Sequence, residues 1–574
     1  MSTLAHNLVQ SLAAQGVKRV YGVPGDSLNG ITDAIRTTKG VTWSHVRNEE
    51  SGAFAAAAEA ALTGDLAVCA GSCGPGNLHL INGLFDAQRS RVPVLAIAAQ
   101  IPSDEVGSTY FQETHPQELF RECSVYAEMV STPEQMPRLL RIAMQEAISK
   151  RGVAVLVIPG DVSLKDMPVN ELVTAAATQQ RVLPSEEELT TLAATLNASS
   201  KVTILAGAGA AKAHDEVVAL AEALGAPVVH ALRGKEYLEY NNPYDVGMTG
   251  LLGFASGYRA MESADTVLVL GSDFPYQQFY PQDAKIVQVD LRGENLGRRT
   301  QLHQGLVGTV KDTAAALLPL LERKQDRKHL EDAQKHYRKT REKLDELAVP
   351  ARKGAALHPQ YVAKRIDALA DEDAVFIPDV GSPVVYAARY LTMNGKRRLI
   401  GSFNHGSMAN AVPHAIGAAS ENPQRQVVTL SGDGGLAMLL GELITLKQSK
   451  LPVKVVVFNN SSLNFVELEM KAAGFVTFGT DLENPDFAAV ARACGLEAWT
   501  VTSSEELDDA LRGAFAHDGP ALVDVRTGRQ ELTLPPKIEL AQAKGFALYA
   551  MRSVLSGRGD ELLDLAATNW RQLF

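Results

Sequence analysis

The sequence predicts an α/β protein built from three consecutive doubly wound parallel-sheet domains, followed by a C-terminal amphipathic tail. Three observations predict it. Short β-branched runs alternate with helical stretches along the chain, the pattern of parallel sheets covered on both faces. At 574 residues the chain is too long for one hydrophobic core. Polar stretches near 175–185 and over 322–346 interrupt the alternation and leave blocks of about one domain each.

The elements follow in order. In the first block, 1–180, Leu4, Leu8, Val9 and Leu12 share one face of an opening helix. Strands are expected near 20–23, 66–69, 92–98 and 154–158, the last running into a loop at "IPGDV". The second block, 181–340, has strands near 202–205, 227–229, 266–270 and 286–289. It closes on a charged stretch at helical spacing, which reads as a solvated connecting helix. The third block, 341–530, has strands near 375–377, 427–430, 453–457 and 521–525. Residues 531–574 form the tail, in which Leu562, Leu565, Ala566, Trp570, Leu573 and Phe574 fall on one helical face. Such a face suits a membrane interface or a protein surface.

Composition narrows the function classes. The formal net charge is −11, with acids and bases interspersed, so no basic face is available for nucleic acid. Four cysteines, Cys69, Cys73, Cys123 and Cys494, make no disulfide framework. Cys69 and Cys73 lack the second ligand pair a zinc site needs. No signal peptide is visible and no apolar run has transmembrane length, so a cytoplasmic protein is expected, free or attached to a membrane from that side.

The most informative motif is Gly432-Asp433-Gly434 with Asn459-Asn460, each half following an apolar strand. Asp433 brings a carboxylate and Asn460 an amide oxygen, donors that suit Mg2+ beside phosphate oxygens. The glycines let the backbone approach a diphosphate. A weaker signal is Gly207-Ala208-Gly209 after a strand, which allows a phosphate near a helix start but lacks the third glycine of a dinucleotide fingerprint. Asp290, at a strand end, could hold ribose hydroxyls.

The GDG…NN pattern resembles the thiamine-diphosphate (ThDP) enzymes. With "VRNEESGAFAAAAEA", "GSCGPGNLHLINGLFDA", "GSTYFQE", "HALRGKE", "GMTGLLG", "GSDFPYQ", "PDVGSP" and "FNHGSMANAVPHAIGA", the whole chain resembles the ThDP- and FAD-dependent pyruvate oxidase family. Within that family it is most similar to the bacterial quinone-dependent pyruvate dehydrogenases. The resemblance implies a pyrimidine-binding domain, a central FAD domain, a diphosphate-binding domain and a membrane-binding tail. Glu49 would activate the aminopyrimidine; the family has "RHE" where this chain has Arg47-Asn48-Glu49. Gly74, Asn82, Gly406, Ser407 and Met408 would hold ThDP, with Met408 wedging it into a bent shape. Asp433, Gly434, Gly435, Asn460, Ser461, Ser462, Leu463, Asn464, Phe465 and Val466 would complete that site, and Asp433, Asn460 and Ser462 would ligate Mg2+. Phe111, Gln112, Phe465 and Glu469 would line the reacting carbon.

For FAD the resemblance implies Gly207, Arg233, Thr249, Gly250, Leu251, Leu252, Ser272, Asp273, Phe274, Pro275, Tyr276 and Asp290. Thr309 departs from the family, which usually has Asp there. The activity implied is oxidative decarboxylation of pyruvate to acetate and CO2, with electrons passing through FAD to ubiquinone or menaquinone. The implied assembly is a homotetramer on the cytoplasmic face of the cell membrane, held by lipid contacts of the tail, with Glu49 and Asp433 meeting across a subunit interface. Three rivals remain: an acetolactate-synthase-like carboligase, a phosphate-dependent peroxide-forming oxidase and a catalytically silent subunit.

Overall fold

The computed structural model describes residues 2–176, 181–529, 531, 540–555, 565 and 569. The first sheet holds β1 (Arg19–Gly22), β2 (Thr42–His45), β3 (Ala67–Gly71), β4 (Val94–Gln100), β5 (Tyr126–Met129) and β6 (Val153–Pro159), in the order β2-β1-β3-β4-β6-β5. The second holds β7 (Val202–Ala206), β8 (Val228–His230), β9 (Asp245–Met248), β10 (Thr266–Leu270), β11 (Lys285–Asp290) and β12 (Gln304–Val307), in the order β12-β11-β10-β7-β8-β9. The third holds β13 (Val375–Pro378), β14 (Arg398–Leu399), β15 (Val427–Gly432), β16 (Val453–Asn459), β17 (Glu497–Val501) and β18 (Ala521–Arg526), in the order β14-β13-β15-β16-β18-β17. Every strand pair is parallel.

The first and third sheets share one connectivity, and the second has another, that of dinucleotide-binding folds. The three parallel-sheet α/β domains read from the sequence are all present, and the outer two share a connectivity that the middle one lacks. All twelve expected strands form, and each sheet adds two more, β2, β5, β9, β12, β14 and β17, all at sheet edges. The "IPGDV" loop is a helical turn over Gly160–Ser163. The connecting helix, Lys328–Leu347, is only partly solvated: Leu330 and Ala333 are buried, and the Arg341 guanidinium lies 5.7 Å from the Phe254 ring centroid.

One apolar core joins the first and third domains within the chain. It contains Ala55, Ala56 and Leu84 from one and Ala415, Ala418 and Leu443 from the other. The helices Glu49–Thr63 and Ala411–Glu421 cross closely because small residues line the contact. A Cβ on Gly417 would fall 2.0 Å from the Ala55 carbonyl oxygen, an atom that cannot move aside. Gly417→Ala is therefore expected to cost about 1–3 kcal/mol despite its better helix propensity. Thermal unfolding checks this; an unchanged or raised Tm would contradict the close crossing.

In the tail, the helix Leu540–Leu555 packs on Asn464–Ala472. Tyr549 is fully buried there, and Arg552 Nη1 donates to the Gly474 carbonyl at 2.6 Å. Of the amphipathic face expected from 561 onward, Leu565 is described and is buried beside Tyr549; the rest of that face lies outside the described residues. So do residues 177–180 of the expected linker. No helix among the described residues is long and apolar enough to cross a membrane.

Candidate active site

The third domain places Asp433 and Asn460 at the carboxyl ends of neighbouring strands, with Gly432 of β15 opposite Phe458 of β16. Asp433 Oδ2 accepts from the Asn460 amide at 3.1 Å, the Ser461 amide at 2.7 Å and Asn484 Nδ2 at 2.8 Å. Its Oδ1 accepts only from the Gly434 amide, at 2.9 Å, among the described bonds. One carboxylate thus pins two strand ends and keeps acceptor capacity on Oδ1. Burial raises its pKa, and the four donors oppose that shift; a cation would oppose it further. Asn460 Oδ1 accepts from the Ser462 amide at 3.0 Å, closing a turn in which Ser461 takes φ +56°. Asn484, which also donates to Asn459 Oδ1 at 3.0 Å, was not singled out from the sequence. It lies in an ordinary polar loop and becomes part of the site only through folding.

The two glycines after Asp433 serve different ends. A Cβ on Gly434 would crowd Leu463, Leu482 and Met408 in the cradle, at 3.0, 3.2 and 3.5 Å. A Cβ on Gly435 would fall 1.8 Å from Asp379 Oδ2. Asp379, at the end of β13, accepts from the Val380 amide and Asn410 Nδ2, both at 3.0 Å. Burial pushes its carboxyl up to about 7. It holds the turn that carries Met408, where Gly406 and Ala409 take φ +80° and +65°. Ser407 is braced by its amide bond to Ser402 Oγ, 3.0 Å.

In the first domain Glu49 is the first residue of its helix. Asn48 is the cap, its Oδ1 accepting from the Glu50 amide at 2.9 Å, so the departure from the family's histidine has a local role. The Glu49 carboxyl is buried, with Oε2 2.9 Å from His79 Nδ1. A Cβ on Gly76 would lie 2.9 Å from Glu49 Oε1. His79 escaped the sequence reading, although Gly76, His79 and Asn82 recur every third residue along one helix face. Asn82 Nδ2 donates to Glu50 Oε1 at 2.6 Å and to Ser407 Oγ at 2.9 Å. Arg47 and Asn48 donate their amides to Glu442 Oε1 at 3.0 and 3.1 Å. The Glu49 helix start and the Met408 turn are thus tied to one framework within the chain.

Other expected residues sit apart. Phe111 is 78% exposed, on a loop organised by the Glu113 carboxylate, which accepts from the Thr109 and Tyr110 amides. Gln112 takes φ +63° and accepts from Cys73 Sγ at 3.4 Å. Its carbonyl lies 2.8 Å from where a Cβ on Gly74, itself at φ +64°, would stand. On the helix Asn464–Ala472, Phe465 is half-buried and Val466 and Glu469 are exposed; Glu467 is the acid the fold buries. Asn464 is a brace, accepting from Ser382 Oγ at 2.8 Å and donating to the Arg529 carbonyl at 2.7 Å.

The second domain has its crevice where strand order reverses, between β7 and β10. Gly207 follows β7 and Ser272 follows β10. A Cβ on Gly207 would meet Ser272 Cβ at 2.7 Å and the Gly271 carbonyl at 2.8 Å, so this glycine permits contact between two loops. Thr249, Gly250 at φ +97°, Leu251 and Leu252 follow β9. Thr249 Oγ1 is buried with no hydrogen-bond partner, as a ligand-facing hydroxyl would be. Arg233 donates to the Ser90 carbonyl at 2.9 Å. Asp290 Oδ1 accepts from the Arg292 amide and Asn295 Nδ2 at 2.9 and 3.1 Å. Asp273 pairs with Arg299 at 2.9 Å and Arg298 at 3.3 Å. Phe274 meets Tyr276 edge-on beside the exposed Pro275. Thr309 caps the helix Val310–Leu317 through the Asp312 amide.

Among the described residues no cluster of three or more His, Cys, Asp or Glu could hold a metal ion. The donors at Asp433 and Asn460 are instead a single carboxylate with amide and carbonyl oxygens, which fits Mg2+ shared with a diphosphate. Three family profiles match consecutive stretches. They are described as thiamine pyrophosphate enzyme, N-terminal TPP binding domain, over 2–119; central domain, over 189–317; and C-terminal TPP binding domain, over 379–525. The chain belongs to the thiamine pyrophosphate enzyme family. Asp433 and Asn460 fall in the C-terminal TPP-binding match and Glu49 in the N-terminal one. YdaP of Bacillus subtilis, whose name describes it as thiamine pyrophosphate-containing, is 36% identical over 98% of both chains. Pyruvate oxidase of Lactiplantibacillus plantarum is 30% identical over 92% of this chain and 89% of its own. The acetolactate synthase isozyme 1 large subunit of Escherichia coli is 29% identical over 93% and 95%. The protein is a ThDP-dependent enzyme related to pyruvate oxidase and acetolactate synthase.

Proposed function

We propose that the protein oxidises pyruvate, with water, to acetate and CO2, passing two electrons through FAD to a membrane quinone. The observation that carries the flavin step is Thr249 Oγ1, buried and unpartnered on a loop of a dinucleotide-type sheet. The pyruvate oxidase relative supports the substrate. ThDP, when bound, would supply a nucleophilic carbon for the keto group and a cationic ring that takes up the electron pair released by decarboxylation. Asp433, Asn460 and the Ser462 carbonyl hold the cation and diphosphate. Met408 supports the cofactor, and Glu49, set by His79, holds a proton against its pyrimidine. Phe111, Gln112, Phe465 and Glu469 line the reacting carbon, and the assembly is a homotetramer. The flavin is held by the loops after β7, β9 and β10, with Asp290 on a ribose. Residues 531–574 bind lipid on the cytoplasmic face and admit ubiquinone or menaquinone.

The test is anaerobic. Pyruvate added to protein loaded with ThDP, Mg2+ and FAD should bleach the flavin, and quinone in phospholipid vesicles should restore its colour. Removing residues 556–574 should spare reduction of a soluble dye and abolish turnover with vesicle quinone. Acetolactate without bleaching would identify a carboligase; in a parallel aerobic assay with added phosphate, acetyl phosphate formed with oxygen uptake would identify a phosphate-dependent oxidase. Either result overturns the proposal, as does full quinone turnover by the truncated protein.

A further inference from the structure

The helix after Asn460 carries a buried acid that the site described above does not use. Glu467 is fully buried, and among the described bonds it accepts from Ser462, Lys471 and Arg529. Ser462 Oγ donates to Glu467 Oε2 at 2.5 Å. Lys471 Nζ, one helical turn on and itself buried, donates to Oε1 at 2.8 Å. Arg529 approaches Oε2 at 3.4 Å through both Nε and Nη2. Burial alone would raise this carboxyl, but Lys471, Ser462 and Arg529 outweigh it and hold it below the usual carboxylate range. Through the Ser462 hydroxyl this carboxylate ties its helix to one short turn.

That turn is the one at the cation site. Ser462 closes on Asn460 Oδ1 through its amide, and Ser461 is bound to Asp433 Oδ2. The left-handed φ of Ser461 makes the turn costly to form without support. The neighbouring amide of Leu463 is bound to the Thr480 carbonyl at 2.8 Å. Among the described bonds, Glu467 is the side chain that receives the Ser462 hydroxyl.

We propose that Glu467 is a positioning residue for the cation site: by holding the Ser462 hydroxyl it fixes the turn that presents the Asn460 side chain and the Ser462 carbonyl to Mg2+. The inference rests on the assignment of Mg2+ and ThDP to this turn and is independent of the flavin and quinone steps. Groups that orient metal ligands from behind change affinity by roughly 10–100-fold when removed.

The test uses the full chain stripped of cofactor, titrated calorimetrically with Mg2+ at fixed ThDP. Binding by the wild-type chain checks the assignment; the variants check the role of Glu467. Glu467→Met should raise the Mg2+ concentration for half-saturation roughly tenfold or more, and Glu467→Gln should recover most of that loss. Ser462→Ala keeps the backbone carbonyl but loses the hydroxyl, so it should weaken Mg2+ comparably even if Glu467→Met folds poorly. The double variant should be no worse than the stronger single one, because both remove one bond. Lys471→Met breaks the same buried ion pair but leaves the Ser462 bond; it should lower Tm and leave Mg2+ affinity near wild type. Equal Mg2+ loss in Lys471→Met and Glu467→Met would overturn the proposal in favour of general destabilisation. Wild-type affinity in Ser462→Ala would overturn it too.

Discussion

Glu49→Gln is expected to slow exchange of the C2 proton of bound ThDP by roughly 10²–10⁴-fold, the usual weight of a positioned acid or base, while ThDP and Mg2+ still bind. The carboxyl is buried at a helix start, kept in place by His79 and given room by the absence of a Cβ on Gly76. The amide has the same shape and cannot take up the proton. The helix crossing on Ala411–Glu421 is lined by small residues such as Ala55 and Gly417, so the domain contact should persist. Quenched-flow exchange followed by NMR measures the rate, and calorimetry measures binding. Near-normal exchange would remove Glu49 from the chemistry; loss of binding would make it a structural acid.

Asp433→Ala is expected to act at the other end of the cofactor. It should weaken Mg2+-dependent ThDP binding by at least ~100-fold, the upper range for groups that only support a metal's ligands. Two losses combine. The cation loses its carboxylate, and the amides of Asn460 and Ser461 and the side chain of Asn484 lose the acceptor that holds the two strand ends together. Each buried donor left unpaired costs about 1–3 kcal/mol, so Tm should fall as well. Asp433→Asn separates the two: it keeps an acceptor and should hold Tm near wild type while binding remains weak. Retained Mg2+ dependence in Asp433→Asn would mean the carboxylate is not the ligand.

The twelve strands read from the sequence and the six that were missed differ in one physical respect. Inner strands such as 94–100, 153–159 and 453–459 are buried throughout, so they appear as continuous apolar runs. The edge strands are short and mixed. Thr42–His45 is largely half-exposed, Arg398–Leu399 has two residues, and Asp245–Met248 contains an acid and a glycine. Their strand character comes from a neighbour on one side, which local composition does not report.

The same contrast runs through the site. Asp433, Asn460 and Glu49 could be singled out as candidates because each stands in a contiguous motif at a strand end or a helix start. His79, Asn484, Asp379 and Glu442 were not, since each acts on a segment distant in sequence. On the helix after Asn460, the resemblance pointed to Glu469, which is exposed, whereas folding buries Glu467 against Ser462.

By itself, then, the sequence determined the α/β class, the inner strands and the GDG…NN motif, because each is written in contiguous residues. Only the tertiary structure decided that the outer domains share a connectivity the middle one lacks, and that one chain binds its first and third domains through an alanine- and glycine-lined helix crossing. It also decided which acids are buried beside the motif, Asp379 and Glu467 among them. Those outcomes depend on crossovers and contacts between segments up to several hundred residues apart, and no local pattern encodes such contacts.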